Sequence, residues 1–276
     1  MQLRTIRLIA AHELLINMRN KWMQLFAAAF ALLVLAISYF GLVTIGNTGF
    51  QGFARTSASL LNLVLYIIPL MALTMGTLTF TSRVTFGEML FSQPVLRSDI
   101  LMGKVAGLFF SMAIAMFLGF GLAGLIIAAN TGTDRAYGYP ALVLFSLVLA
   151  LIFICVAAAI STACRRKTQA FGVVLFVWFF FLLFYDLLVI GGTFLFKEKT
   201  ANQFIFLSLF GNPVDIVRVS ALLIMDGKEI FGPAGAALLK FLGGKTTSLI
   251  LLAAASIAWI ALPLFASRRL LDRQDI

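Results

Sequence analysis

Apolar runs long enough to cross a bilayer dominate this chain and leave it few ways to fold. A hydrocarbon core takes about 20 apolar residues in a helix. Trp22–Ile45, Leu60–Thr81, Val105–Asn130, Tyr139–Ala163, Ala170–Leu195 and Ser248–Ser267 all satisfy that requirement. Backbone N–H and C=O groups in lipid need partners within the segment, so these runs predict helices. The alternating pattern of a membrane barrel strand is absent. Composition agrees: 62% of the 276 residues are hydrophobic and 12% are charged, against about 45–50% and 25% in soluble domains. A chain this apolar cannot hide its surface in its own core. That excludes a soluble enzyme, a DNA-binding domain and a disordered chain. The net charge of +10 does not revive nucleic acid, because no basic cluster is long enough to follow a phosphate backbone. The expected fold is all-α and polytopic: one transmembrane domain over residues 1–276 with six transmembrane helices.

Orientation follows from the basic flanks, since Lys and Arg gather on the cytoplasmic side of membrane helices. Arg4, Arg7, Arg19 and Lys21 precede the first span. Arg83, Arg97 and Lys104 lie between the second and third, and Arg165, Arg166 and Lys167 between the fourth and fifth. Arg268, Arg269 and Arg273 follow the sixth. The opposite short connections hold only Arg55 and Arg135. Both termini are therefore expected in the cytoplasm, and residues 197–247 outside. His12, Glu13, Asn17, Arg19 and Lys21 interrupt the opening apolar run, which predicts no cleavable leader. Residues 1–21 read instead as an interfacial helix. Leu3, Ile6, Ala10, Leu14 and Met18 share its apolar face, with Thr5, His12, Glu13 and Arg19 pointing elsewhere.

Two connections are more than loops. Residues 82–104 exceed the usual 2–8 residues between helices and place Met89, Leu90 and Phe91 outside any span. Pro94 ends whatever helix they form, having no N–H and a ring that clashes with the preceding turn. Ser98 is the expected cap of the third span, with Asp99 in its first turn. This predicts a short helix parallel to the membrane, offering apolar side chains and Glu88 either to a partner groove or to the lipid surface. Outside, Asn212 as N-cap, Pro213 at the first helical position and Asp215 at the helix dipole predict a helix running to about Met225. A second starts at Gly232-Pro233 and stops at Gly243-Gly244. Both are too short to span, so re-entrant or membrane-surface packing is expected. Arg218, Asp226, Lys228 and Glu229 are then available to a periplasmic partner; an ordinary amphipathic cap is the alternative.

Missing chemistry narrows the function further. His12 is the sole histidine, so one chain holds neither a bis-His haem nor a His-x-x-x-His zinc arrangement. Gly244-Lys245-Thr246 resembles the end of a phosphate loop, but Leu239 stands where the motif needs glycine. The chain has no nucleotide-hydrolysing machinery and is not expected to be an enzyme or to bind a cofactor itself. Cys155 and Cys164 lie on opposite faces of one helix, about 13 Å apart in rise, too far to pair. Met71/Met75 and Met112/Met116 are one-turn pairs. Core packing is the expectation for them, and a soft Cu(I) path the alternative. Asp186 is the one acid well inside an apolar run; its position nearer the outer interface favours a structural role over a proton relay. Gly103-x-x-x-Gly107 permits close helix approach, though such spacing is common.

The segment Gly87-Glu88-Met-Leu-Phe-Ser-Gln-Pro94-Val-Leu-Arg97-Ser-Asp-Ile100-Leu-Met-Gly103-Lys104 resembles the coupling region of ABC-2 type (type V) ABC transporter permeases. The six spans, the amphipathic start and the helices before the last span fit the same family. Over its length the chain is most similar to the branch serving maturation of nitrous oxide reductase, and Tyr185-Asp186-Leu-Leu-Val-Ile-Gly adds to that likeness. Glu88 replaces the family's usual Thr. The resemblance implies a homodimer in the bacterial inner membrane with two cytoplasmic ATPase subunits that bind ATP and Mg, and a periplasmic copper-handling protein. It implies a coupling helix at Phe86–Leu96, with Phe86, Gly87, Glu88, Met89, Leu90, Phe91, Pro94 and Arg97 meeting the ATPase. Within this family the cargo stays open: copper, a sulfur species, force alone without passage of a solute, or another substrate exported altogether. A secondary transporter or channel is the competing class; it would normally need ionisable groups or broken helices at mid-membrane.

Overall fold

The computed structural model describes residues 3–43, 49–81, 96–131, 138–164, 166–195, 198–225 and 241–273. Among these residues the chain is helical with no strand. Six of their helices are long and apolar enough to cross a membrane, so the protein is an all-α polytopic membrane protein. In chain order α1 is Leu3–Arg19, α2 Lys21–Val43, α3 Gly49–Thr81, α4 Arg97–Thr131 and α5 Gly138–Ala163. The fifth span, Lys167–Thr193, is α6 (Lys167–Phe179), a π-helical turn (Phe180–Phe184) and α7 (Tyr185–Thr193). Then come α8 (Glu198–Ser208), a 3-10 turn (Leu209–Gly211), α9 (Pro213–Ile224) and the last span α10 (Lys245–Asp272).

The bundle is built around α3 and α5. In their spanning stretches 56% of residues are buried, against 11% in the fifth and sixth spans. Leu60, Leu61, Leu65, Ile68 and Leu73 of α3 pack with Leu149, Ile152, Phe153 and Ile154 of α5 in one core. Small residues allow the approach: a Cβ placed on Gly76 would lie 2.5 Å from that of Ala157. Several hydroxyls inside the spans find partners on their own helices. Ser38, Thr77, Ser111, Ser146 and Ser256 each donate to the carbonyl one turn back, as a helix in lipid requires.

Several expectations about boundaries are corrected. The helix of the second span begins at Gly49, well before the apolar run. The third begins at Arg97, so Ser98 lies inside the helix and does not cap it; the Leu96 carbonyl accepts from Asp99 and Ile100. Helix α8 was not foreseen, because its sequence opens with Glu-Lys-Thr-Ala-Asn-Gln and shows no long apolar run. It meets α9 through a bend of 101°. Gly192 makes room for it: a Cβ there would lie 2.8 Å from the Phe204 ring. The expected helix from Gly232-Pro233 falls mostly outside the described residues. Its stop does not: Gly243 and Gly244 have φ of +85° and +105°, which suits glycine far better than any residue with a Cβ.

Candidate functional site

Polar side chains cluster at the two ends of the bundle. At one end α3 finishes at Thr81 and α4 begins at Arg97; Phe86, Gly87, Glu88, Met89, Leu90, Phe91 and Pro94, between them, lie outside the described residues. The roots of that segment are described, and both are held. Lys104 Nζ donates to the Thr79 carbonyl at 3.3 Å and lies 3.6 Å from Glu13 Oε1. One ammonium thus meets α1, α3 and α4. Arg97 Nη1 donates to the Leu271 carbonyl at 2.7 Å, at the end of α10. Next to these, Thr162 donates to Ser267 at 3.4 Å, joining α5 to α10.

Helix α1 is seated on α4 by glycine. A Cβ on Gly103 would lie 2.7 Å from Ile9 Cβ, and one on Gly107 2.6 Å from Glu13 Cβ and 2.7 Å from the Ala10 carbonyl. The contacts advance in the same direction along both chains, so the two helices run in the same sense here. Ile6 and Ala10 of the face expected from sequence take part in this contact, but its centre is shifted from that face. Ile9 and Asn17 are the buried residues of α1, Glu13 points into the contact, and Leu3 and Met18 are exposed. A carboxylate can turn inward because Lys104 is there to meet it. Gly103-x-x-x-Gly107 was the signal for this contact, and its commonness had hidden it.

The other end is organised by Asn212. Its Oδ1 accepts from the Val214 N–H at 3.0 Å, capping α9, with Pro213 at the first helical position and Asp215 in the first turn, as expected. Its Nδ2 donates to the Phe181 carbonyl at 3.0 Å and to Asp215 Oδ2 at 2.8 Å. Phe181 sits in the π-helical turn, where the wider repeat leaves a carbonyl that a side chain can take. Tyr185 Oη donates to the Ser208 carbonyl, and Gly211 leaves the space its ring tip fills. Asp186 does not take the Tyr185 hydroxyl, which goes to that carbonyl instead. Among the described residues Asp186 makes no hydrogen bond or ion pair, and its charge acts on Asp215 through space. Asp215, outside the six spans, has its carboxyl pushed up to about 6 by burial, with Arg218 opposing, Asp186 adding and the Asn212 hydrogen bond opposing.

Arg218 is partly engaged within its own helix. Its Nη1 pairs with Asp215 Oδ1 at 3.2 Å, its side chain is 33% exposed, and its Nε is buried without a hydrogen-bond partner. Asp226, Lys228 and Glu229 lie outside the described residues. Met75, Met112 and Met116 are core residues, and Met71 packs against the same core. Cys155 and Cys164 are both free thiols. The structure thus ties Arg218 to Asn212 through Asp215, while Arg97 and Lys104 reach different partners from the same helix.

Six spans, an N-terminal helix seated on the third of them and a bent helix pair before the last define a polytopic helical membrane protein. Residues 7–276 match the family described as ABC-2 family transporter protein, and the chain belongs to that family. It is 31% identical over 268 residues to the probable ABC transporter permease protein NosY of Pseudomonas aeruginosa, covering 95% of this chain and 94% of that protein. The corresponding protein of Stutzerimonas stutzeri is 31% identical over 225 residues, 79% of this chain and 82% of that one. The chain is thus an ABC-2 type permease, the multi-pass membrane subunit of an ABC transporter.

Proposed function

We propose that this permease serves in copper-site assembly of nitrous oxide reductase. It works as a homodimer in the bacterial inner membrane, with both termini and residues 82–104 in the cytoplasm. The observation that carries this reading is similarity, over 95% and 79% of the chain, to two proteins named as probable NosY permeases. Two cytoplasmic ATPase subunits bind ATP and Mg and grip the coupling helix at Phe86–Leu96 through Met89, Leu90 and Phe91. Their closure pushes that segment, and the second and third spans carry the movement across the membrane. On the far side the helices around Asn212 deliver it to a periplasmic copper-handling partner, with Arg218, Asp226, Lys228 and Glu229 as contact residues. A partner that distinguishes two states of the permease biases them, and the permease biases the partner in return.

Two experiments test the two levels of this reading. Leu90→Asp with Phe91→Asp abolishes co-purification of the ATPase subunit while membrane insertion stays intact; unchanged co-purification contradicts the coupling helix. For the pathway, deletion of the gene leaves nitrous oxide reductase deficient in copper, measured as metal content and activity of the isolated enzyme. Copper-replete enzyme in the deletion strain assigns the permease to another substrate.

A further inference from the structure

Lys104 stands out among the charged residues of the bundle because three helices meet at one ammonium. Its side chain is 13% exposed and that of Glu13 12%. It holds α1 through Glu13, 3.6 Å away, and α3 through the Thr79 carbonyl at 3.3 Å, while belonging to α4. The position matters as much as the bonds. Thr79 lies two residues before the end of α3, and Lys104 lies two turns into α4. Those are the two stems from which residues 82–96 depart. Gly103 and Gly107 flank the lysine and put the backbone of α1 almost in contact with α4, so there is little side-chain cushion to absorb a displacement. Close backbone packing of this kind transmits strain, since packed helices deform little.

We infer that Lys104 is a positioning residue that fastens α1 and α3 to α4, so that a push on the intervening segment moves three helices as one body instead of spreading the two stems apart. This rests on the proposal that an ATPase meets that segment. It adds a role for α1, which the Glu13 bond makes a moving part of the transmission and not only an anchor. A salt bridge suits that role because a charged pair shielded from water is felt strongly at short range and, once one member is removed, leaves the other uncompensated.

The test uses the full permease in lipid nanodiscs, with and without its ATPase subunit. Cys155→Ala and Cys164→Ser clear the background, and spin labels are placed at Leu8→Cys on α1 and Thr81→Cys at the end of α3. The expected wild-type result is a narrow distance distribution. Lys104→Met and Glu13→Gln each broaden it, and the exchanged pair Glu13→Lys with Lys104→Glu narrows it again. In the complex, both single variants bind the ATPase subunit normally yet lose about tenfold of permease-dependent ATP hydrolysis, a factor within reach of one ion pair shielded from water. A Lys104→Met permease with the wild-type distribution overturns the inference, and so does one that has broadened but hydrolyses ATP at the wild-type rate. Failure of the wild-type permease to bind any ATPase counts against the proposed function alone, because the distance measurement still decides whether Lys104 fastens the helices.

Discussion

The two ends of this bundle are held together by different chemistry. At the Arg97 end most ties between helices come from charged side chains, Lys104 to Glu13 and to the Thr79 carbonyl and Arg97 to the Leu271 carbonyl, with Thr162 to Ser267 the neutral one. Toward the other end the long-range bonds come from amide and aromatic side chains. Asn212 donates to the Phe181 carbonyl, Tyr185 to Ser208, Tyr139 to Phe120 at 2.6 Å and Trp259 to Phe210 at 3.1 Å. Tyr and Trp combine an apolar body with one polar tip and settle where lipid meets water; their bonds to backbone pin helices without a charge to neutralise. On the proposed coupling to an ATPase, the charged ties lie where the load would enter and the neutral ones where it would be passed on.

The largest effect that would sharpen this contrast comes from filling the glycine contact. Gly107→Leu drives a side chain into the backbone of α1, where even a Cβ would lie 2.6 Å from its neighbour. A loss of about 3 kcal/mol or more is expected from such overpacking, read as a lower melting temperature in detergent and as proteolysis of the N-terminus. Gly121→Leu on the same helix is the control: nothing lies within 4 Å of its Cβ position, and its melting temperature is expected to match the wild type. At the other end Asn212→Ala removes the cap of α9 and the bond to Phe181, with an expected loss of about 1–2 kcal/mol. Faster hydrogen exchange confined to residues 213–224 reads this out. The smallest effect is expected from Tyr185→Phe, which loses one hydrogen bond worth about 1 kcal/mol and leaves the Lys104 end unchanged in the same exchange experiment. Exchange that spreads from either substitution to both ends would break the division drawn here.

The spans were legible because lipid demands a long apolar helix, and that demand is written in consecutive residues. Which face of each helix packs was not, for the same reason. A helix that is apolar all round shows lipid and protein the same side chains, so hydropathy cannot tell them apart. Small residues carry that information instead, as Gly76, Gly103 and Gly107 show, but glycine spacing alone has many innocent occurrences. Asn212, Pro213 and Asp215 were legible because capping is a local rule that needs no knowledge of the fold. Lys104 shows in the sequence as a flanking charge and as the last residue of the coupling-region likeness, with no sign of a partner. Its partners, Glu13 and Thr79, come from distant parts of the sequence, and pairs of that kind become visible only when the helices are assembled. Helix α8 escaped notice because it gains its order from contacts such as Phe204 against Gly192, not from an apolar run of its own.

The proposal that the Arg97 end takes its load from a motor inside the cell can be tested by sidedness. With Cys155→Ala and Cys164→Ser as background, Met89→Cys is offered a membrane-impermeant maleimide in sealed vesicles of both orientations. The expected result is labelling in inside-out vesicles, protection in right-side-out vesicles, and loss of inside-out labelling when the ATPase subunit is bound. Labelling of Met89→Cys from the outer face of right-side-out vesicles would contradict the account.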